Sequence, residues 1–248
     1  NLADRGNPRT ILSLPLRRQG EVFGVLTLER IIEKPFLPEE IETLSFRIIE
    51  QEAGAHGFGS RRWQVVRRMI HTSADFEYLD TVRFHEDAID AGLDAIKQGK
   101  IIFTDTNMAR TGIRKNELAA YGCEVSCLIG DSDVARMAAE SGSTRAAVAV
   151  DHAVRIMDGG IYVVGNAPTA LLRLIELIDQ GRAAPALVIG LPVGFVNAAE
   201  SKAALAKTVI PYITNTGRKG GSNLAASVVN ALAIMAGSNG AQRDDEIR

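Results

Sequence analysis

The chain has 248 residues, 46% of them hydrophobic, which suffices for the core of one large α/β domain with a small appendage at one end. Its 28 basic and 30 acidic residues give a net charge of −2, which argues against a binding surface for nucleic acid or an anionic membrane. The sequence shows neither a bilayer-spanning apolar run nor a signal-peptide layout at its start, so we expect a cytoplasmic protein.

Residues 1–37 predict a β-hairpin. Two alternating runs, 9–16 and 22–29, flank a polar turn. The pair resembles the closing hairpin of a GAF domain, and residues 34–40 resemble the lead-in to that domain's final helix. A piece this short lacks the ligand pocket of such a domain. We therefore expect an appendage that binds nothing by itself and that comes from a fusion, a truncated sensor domain or a chimeric chain.

The rest of the chain predicts an α/β fold. Three helices are predicted first, over 38–52, 60–71 and 86–98. From Lys100 onward five apolar runs, 101–105, 124–130, 160–165, 186–190 and 209–214, predict strands covered on both faces. Helical patterns lie between and after them, over 133–141, 144–157, 168–180, 198–207 and 221–236. This alternation predicts a three-layer, doubly wound sheet of about five parallel strands.

The loops that follow the predicted strands are rich in glycine and polar residues. Ligands of open α/β sheets gather at the carboxyl ends of the strands, so we call these four loops the rim: 105–108, 165–169, 190–197 and 215–222. None of them matches a dinucleotide or nucleoside-triphosphate fingerprint. The basic, glycine-rich turn 217–222 fits either an anion site or an ordinary connection. An unrelated enzyme acting on a phosphorylated substrate through this turn is a weaker alternative.

His71 ends the second predicted helix, and Arg68 precedes it by three residues, so both side chains emerge on one helix face. A histidine beside a fixed cation can transfer a proton or donate a hydrogen bond to developing charge. The alternative is a structural histidine that interacts with the helix dipole. The spacing alone leaves both interpretations open.

Several longer motifs, in chain order, resemble the signature segments of the precorrin-8X methylmutase family. They are 68–71, 165–171 and 190–202, supported by Asp105 with Met108 and Gly112, by 142–145 and by 220–222. The resemblance runs from about residue 40 to the C-terminus. It predicts a methylmutase-like domain over 38–248, with 1–37 as an appendage that is not an independent domain.

This resemblance implies a homodimer with its site near the subunit interface. Enzymes of the family move a methyl group between adjacent ring C carbons of a corrinoid precursor, which converts precorrin-8X to hydrogenobyrinic acid or its cobalt form to cobyrinic acid. The implied partner is the tetrapyrrole substrate, with no cofactor, no protein-bound metal, no nucleic acid and no membrane. Whether the substrate carries cobalt stays open. The alternative function is that of a catalytically inactive corrinoid-binding or regulatory protein.

By the same resemblance, His71 is the catalytic residue, and Ser45, Arg68 and Arg145 contact the substrate. The further candidate substrate ligands lie on or beside the rim: Asn166, Asn197, Lys202, Arg218 and Ser222. Arg68 has an alternative role as a solvated helix arginine, and Arg145 has one as a first-turn residue of a helix capped by Ser143 or Thr144. Lys219 is a further basic candidate on the rim for substrate carboxylates. Lys202 and Lys219 have ordinary exposed roles as alternatives. Ser45 lies where the resemblance begins to fade.

Overall fold

The computed structural model describes residues 10–18, 21–30 and 37–237, and the chain divides into two units between Gly57 and Phe58. In the first unit, β1 (Thr10–Arg18) and β2 (Glu21–Arg30) form an antiparallel pair whose register shifts between Leu16 and Arg17. The predicted strands of the hairpin are thereby confirmed. Residues 19 and 20 of the predicted turn lie outside the described residues.

The first unit ends with the helix α1 (Pro38–Ala53). Proline occupies its first turn, where the missing N–H costs no hydrogen bond. The Glu40 carboxylate accepts a hydrogen bond at 2.8 Å from the N–H of Leu37, which precedes the helix. Gly54 follows the helix with φ 63°, a backbone conformation that favours glycine. The predicted helix 38–52 is confirmed.

The second unit is built on a six-stranded sheet. Its strands are β3 (Val82–Phe84), β4 (Ile102–Thr104), β5 (Val125–Ser126), β6 (Ile161–Val164), β7 (Leu187–Gly190) and β8 (Tyr212–Asn215), in the spatial order β3-β8-β7-β6-β4-β5. All neighbours pair in parallel except β3, which runs antiparallel to β8 at one edge. The α/β fold and the five parallel strands are confirmed. The strand β3 was not predicted, because its three residues are too few to show alternation.

Ten helices cover this sheet within the described residues: α2 (Ser60–Ser73), α3 (Tyr78–Thr81), α4 (Ala88–Lys97), α5 (Asn107–Gly112), α6 (Lys115–Ala119), α7 (Ser132–Ser141), α8 (Arg145–Ala153), α9 (Pro168–Asp179), α10 (Ala198–Leu205) and α11 (Ser222–Gly237). α11 packs against α2, α4, α5 and α6, whereas α7 to α10 pack in series against one another. None of these described helices is both long and apolar enough to cross a bilayer. The short helices α3, α5 and α6 were not predicted.

The core follows from the strand pattern. The strand residues of β6 and β7 are buried throughout, as expected for parallel strands with helices on both faces. Tyr162 and Val164 of β6 pack with Leu171 and Leu174 of α9 in one apolar cluster. The helix α11 is buried along most of its length and is rich in alanine and valine. These layers fix the carboxyl ends of the strands on which the rim is built.

The order of the parallel strands reverses between β4 and β6. From β4 the chain moves outward to β5, then returns to β6 on the other side of β4 and continues through β7 to β8. In open α/β sheets such a switch point leaves a crevice beyond the carboxyl ends of its two strands. Asp105 follows β4 and Gly165 follows β6, so both lie at this point.

Gly165 brings the β6 loop against the start of α11. A Cβ atom at this position would lie 2.5 Å from Cα of Ser222, and main-chain atoms cannot yield as a side chain could. We expect Gly165→Ala to lower the free energy of unfolding by about 1 to 3 kcal/mol, as overpacking does. Urea unfolding measures this change.

Gly130→Ala is the matched control for that variant. The added methyl group would meet only Nδ2 of Asn107 at 3.9 Å, an ordinary contact. The urea concentration at its unfolding midpoint should stay close to that of the parent chain. Equal stability of Gly165→Ala and the parent would show that the approach of the two loops is not a constraint on the fold.

Candidate active site

A buried carboxylate joins the two loops of the switch point. Asp105 is 3% exposed, and its Oδ1 accepts a hydrogen bond from the N–H of Gly165 at 3.0 Å. Its Oδ2 accepts from the N–H groups of Asn166 at 2.8 Å and Ala167 at 2.7 Å. Burial raises the pKa of Asp105, while the three N–H donors favour the ionised form and act in the opposite direction.

This contact fills the main-chain anion cradle of the β6 loop from inside the protein. The three successive N–H groups of residues 165–167 would otherwise suit a ligand carboxylate at the N-terminus of α9. Since Asp105 occupies them, Asn166 can offer a ligand only its side chain, and this residue is exposed. Asp105 belonged to a recognised motif, but its role in the site was not predicted.

The loop after β4 is also bonded to α11. Thr106 caps α5 by accepting a hydrogen bond from the N–H of Ala109 at 3.1 Å, and its hydroxyl lies 2.8 Å from the hydroxyl of Ser222. Ser222 is 7% exposed. Its hydroxyl therefore has a partner within the protein, and contact between Ser222 and a substrate stays a prediction.

Arg145 begins α8 beside the β6 loop. Thr144 caps this helix by accepting a hydrogen bond from the N–H of Ala147 at 3.2 Å, which decides between the two predicted caps, Ser143 and Thr144. The Thr144 hydroxyl donates to the hydroxyl of Thr169 in the first turn of α9 at 3.1 Å. Arg145 is exposed next to this contact, so its guanidinium is accessible at the rim.

The loop after β7 turns from buried to exposed apolar residues. Leu191 is buried, whereas Phe195 is 84% exposed and Val196 is 77% exposed. The guanidinium carbon of Arg218 lies 5.4 Å from the centre of the Phe195 ring, within range of a cation–π contact. Asn197 is exposed and has φ 59°, and it directly precedes α10. The rim here combines an apolar surface with a cation, which suits a large macrocycle carrying carboxylates.

Lys202 is buried rather than exposed. It is 1% exposed, and its Nζ donates to Oδ1 of Asn215 at 3.1 Å and to the carbonyl oxygen of Lys219 at 2.6 Å. The alternative of an ordinary exposed role is wrong, because α10 turns this side chain towards the loop after β8. Burial lowers the pKa of Lys202 to about 8. Contact between Lys202 and a substrate stays a prediction.

A cavity of about 230 Å³ lies beside Lys202. Its wall includes Arg83, Thr214, Thr216 and Gly217. Ligand pockets usually measure about 300 to 1,000 Å³, so this cavity fits a small group rather than a whole tetrapyrrole. Arg68, His71 and Arg145 are not among its lining residues.

His71 lies in the last turn of α2 and is half-buried, as is Arg68. Ala74 caps the helix after Ser73; its φ is 54°, and its N–H donates to the carbonyl oxygen of Ile70 at 2.7 Å. The next residue, Asp75, lies 2.5 Å from Nζ of Lys219 on the rim loop after β8. This contact places the His71 end of α2 beside the rim.

Two acidic residues hold Lys219. Its Nζ lies 2.5 Å from Oδ2 of Asp75 and 2.7 Å from Oε2 of Glu77. These hydrogen bonds raise the pKa of Lys219 and help to lower that of Asp75, although partial burial of Asp75 acts in the opposite direction. Asp75 and Glu77 were not predicted as part of the site, because their pairing with a residue more than 140 positions away has no local signal.

Ser45 belongs to the first unit. It lies in α1, and its hydroxyl donates to the carbonyl oxygen of Ile41 at 2.8 Å, a frequent bond of serine within helices. Among the other histidines, His85 accepts from the N–H of Asp87 at 3.2 Å and His152 lies 3.1 Å from the sulfur of Met137. These contacts support structural roles for His85 and His152.

A family model described as precorrin-8X methylmutase matches residues 40–235. The chain belongs to the precorrin-8X methylmutase family. It is 49% identical over 201 residues to a cobalt-precorrin-8 methylmutase of Priestia megaterium, covering 81% of this chain and 89% of that protein. It is 41% identical over 191 residues to a precorrin-8X methylmutase of Pseudomonas aeruginosa, covering 76% of this chain and 91% of that protein.

A solved structure supports the same assignment. The precorrin-8X methylmutase of Thermus thermophilus superposes with a TM-score of 0.74 at 48% sequence identity, covering 81% of this chain and 98% of that one. The methylmutase resemblance and the α/β fold are therefore both confirmed. A second family model, described as GAF domain, matches residues 1–47, which agrees with the resemblance of the hairpin.

We expect Asp105→Asn to destabilise the methylmutase unit by about 2 to 4 kcal/mol, because hydrogen bonds to a charged group stabilise more than neutral ones. In either orientation the amide NH₂ would face at least one of the three backbone N–H donors. Chemical denaturation measures the change. Asp133→Asn, which removes an exposed carboxylate on α7, is the control and should change stability by less than about 0.5 kcal/mol. Equal effects of both variants would refute the bridging role.

The lowered pKa of Lys202 gives its contribution to stability a defined pH dependence. Between pH 8 and about pH 10.5 the unfolded lysine binds more protons than the folded one, so stability rises with pH across this window. Relative to Lys202→Met, the parent chain should gain at most about 1.4 kcal/mol of unfolding free energy per pH unit. Urea titrations at several pH values measure both proteins. A difference that stays flat or falls with pH would contradict the burial of the ammonium.

Proposed function

We propose that this chain is an isomerase of cobalamin biosynthesis that moves a methyl group between adjacent ring C carbons of precorrin-8X or its cobalt form. The product is hydrogenobyrinic acid or cobyrinic acid. The observation that carries this proposal is the family match over residues 40–235, which contains the rim and the helix that bears His71. Substrate and product have the same atoms, since one bond to the methyl carbon forms as the other breaks.

In this proposal His71 donates a proton or a hydrogen bond to the macrocycle and stabilises charge that develops only as the methyl group moves. Its position at the end of α2, beside the Lys219 contact, supports a role at the rim. Arg68 and Arg145 bind substrate carboxylates, and Ser45 hydrogen-bonds one edge of the substrate. The planar guanidinium group suits two-point contact with a carboxylate.

The remaining ligands are assigned by their accessibility on the rim. Asn166, Asn197 and Arg218 are exposed, which supports direct contact with the substrate. Lys202 and Ser222 are buried and bonded within the protein, so any contact with the substrate requires a change in these bonds. The exposed Phe195 and Val196 supply an apolar surface of the kind that a macrocycle or a second subunit would cover.

Several finer points belong to the same proposal. We propose a homodimer in the cytoplasm, with the methylmutase-like domain over 38–248 and the GAF-like piece over 1–37 as an appendage. Both substrate forms remain candidates, because the similar proteins named above act on cobalt-precorrin-8 and on precorrin-8X according to their names. A corrinoid-binding protein without turnover is the alternative that the experiment below separates.

The test is turnover of precorrin-8X and of cobalt-precorrin-8, followed through the visible spectrum of the product. We expect the parent chain to convert at least one of them. His71→Ala should lower kcat by at least about 100-fold, the usual contribution of a general acid. Binding of the product, measured by fluorescence or absorbance titration, should change by no more than a few-fold.

His152→Ala is the matched control, because it also replaces a histidine by alanine. His152 lies in the last turn of α8, at the opposite end of the helix from Arg145 and the rim. It should keep the parent's kcat. Binding of product without turnover in the parent chain would favour the inactive binder. If the parent chain binds no corrinoid, both functions fail.

A further inference from the structure

We infer that Lys219 is a positioning residue for His71, which it serves by holding the end of α2 against the loop between β8 and α11. The inference rests on the proposed function, since it requires His71 to take part in the reaction. It assigns a role inside the protein to a cation that the sequence placed on the rim as a candidate for substrate carboxylates.

The acidic side of the contact is fixed to α2. Ala74 ends the helix in the left-handed conformation, and its N–H donates to the carbonyl oxygen of Ile70 at 2.7 Å. Oδ1 of Asp75 accepts from the N–H of Glu77 at 3.0 Å, which closes a tight turn. Tyr78 follows and is 3% exposed, so the turn is anchored in the core at its far end. The main chain that bears the two carboxylates is therefore bound to the end of α2.

The basic side is fixed to the sheet. The carbonyl oxygen of Lys219 accepts hydrogen bonds from Nζ of Lys202 at 2.6 Å and from Nδ2 of Asn215 at 3.0 Å. Asn215 ends β8, and both donors belong to buried residues. Lys219 is thus bonded to the core through its main chain while its side chain reaches the turn after α2. A continuous series of bonds runs from α10 to the helix that bears His71.

The accessibility of the contact indicates what it does. The Lys219 side chain is 47% exposed and the Glu77 side chain is 53% exposed, and exposed ion pairs add little to stability. The same ion pairs can still have a large effect on the rate, because a displacement of about 1 Å at a catalytic group can lower the rate about 100-fold. We therefore expect the loss of this contact to change kcat more than it changes stability.

A second role for Lys219 predicts different behaviour. If Lys219 bound a substrate carboxylate, removal of the acids at 75 and 77 would release its ammonium, and substrate binding would strengthen or stay unchanged. If Lys219 positions α2, removal of the acids must reproduce the effect of removing the lysine. The acidic variants therefore discriminate between the two roles.

The experiment compares Lys219→Gln, Lys219→Arg and the double variant Asp75→Asn/Glu77→Gln with the parent chain. We expect Lys219→Gln and the double variant each to lower kcat by about 10- to 100-fold, with KM and product affinity within about 3-fold of the parent. The triple variant Lys219→Gln/Asp75→Asn/Glu77→Gln should lose no more kcat than either of these two, because the three side chains act together. Lys219→Arg, which can still bridge two carboxylates, should recover most of kcat. Melting temperatures should fall by less than about 4 °C.

Arg136→Gln is the matched control. Arg136 also bridges two carboxylates, at 2.9 Å to Glu140 and 3.3 Å to Asp133, but it does so on the exposed face of α7. It should leave kcat unchanged. A loss of product affinity in Lys219→Gln, together with normal kcat in the acidic double variant, would overturn the positioning role. So would unchanged kcat in all the Lys219 variants.

The imidazole resonances of His71 give a readout that does not need turnover. They are assigned by their loss in His71→Ala, and they should shift in Lys219→Gln and in the acidic double variant but not in Arg136→Gln. If the parent chain has no turnover while these shifts occur, the proposed function fails and the link between Lys219 and α2 stands. Unshifted resonances in an active enzyme would refute the link alone.

Discussion

The buried carboxylate of Asp105 is the contact on which the rim depends. It carries its charge into a site with 3% exposure, where an unpaired ion would be strongly unfavourable. Three main-chain N–H groups with fixed directions compensate that cost. Because they belong to the residues between β6 and α9, the contact sets where α9 begins relative to β4. The conformation of the β6 loop and the buried charge of Asp105 therefore depend on each other.

Short polar contacts join the neighbouring parts of the rim to the loops that Asp105 connects. Thr169, in the first turn of α9, accepts the hydrogen bond from Thr144 that places Arg145. Thr106, next to Asp105, bonds to Ser222 at the start of α11. The absence of a side chain at Gly165 allows the β6 loop and α11 to approach each other. Arg145 on one side and Ser222 on the other are thus placed from the same switch point.

The basic residues of the rim divide into two groups. Lys202 and Lys219 donate to acceptors of the protein itself and connect α10, β8 and the end of α2. Arg145 and Arg218 are exposed, and Arg218 lies over Phe195. A guanidinium group is better suited than an ammonium to two-point contact with a carboxylate. The chain of net charge −2 therefore keeps an accessible cationic rim, while Lys202 and Lys219 connect the loops within the protein.

The two family matches overlap in α1. The GAF match ends at residue 47 and the methylmutase match begins at residue 40, so Ser45 lies in the stretch that both cover. The structure places α1 with the hairpin in the first unit and places α2, with His71, in the second. Ser45 therefore belongs to a different unit from Arg68 and His71, which share one helix.

The sequence by itself determined the hairpin strands, the five parallel strands, the major helices and the motifs around His71, because periodicity and short-range spacing encode them. It also indicated the family, since several motifs agreed in order. Only the tertiary structure decided what Asp105, Lys202 and Lys219 do. Their partners lie 13 to more than 140 residues away along the chain. Whether Lys202 is exposed or buried depends on which face of α10 packs against the rest of the protein. Burial and long-range pairing are properties of the packed chain, so no local pattern could reveal them.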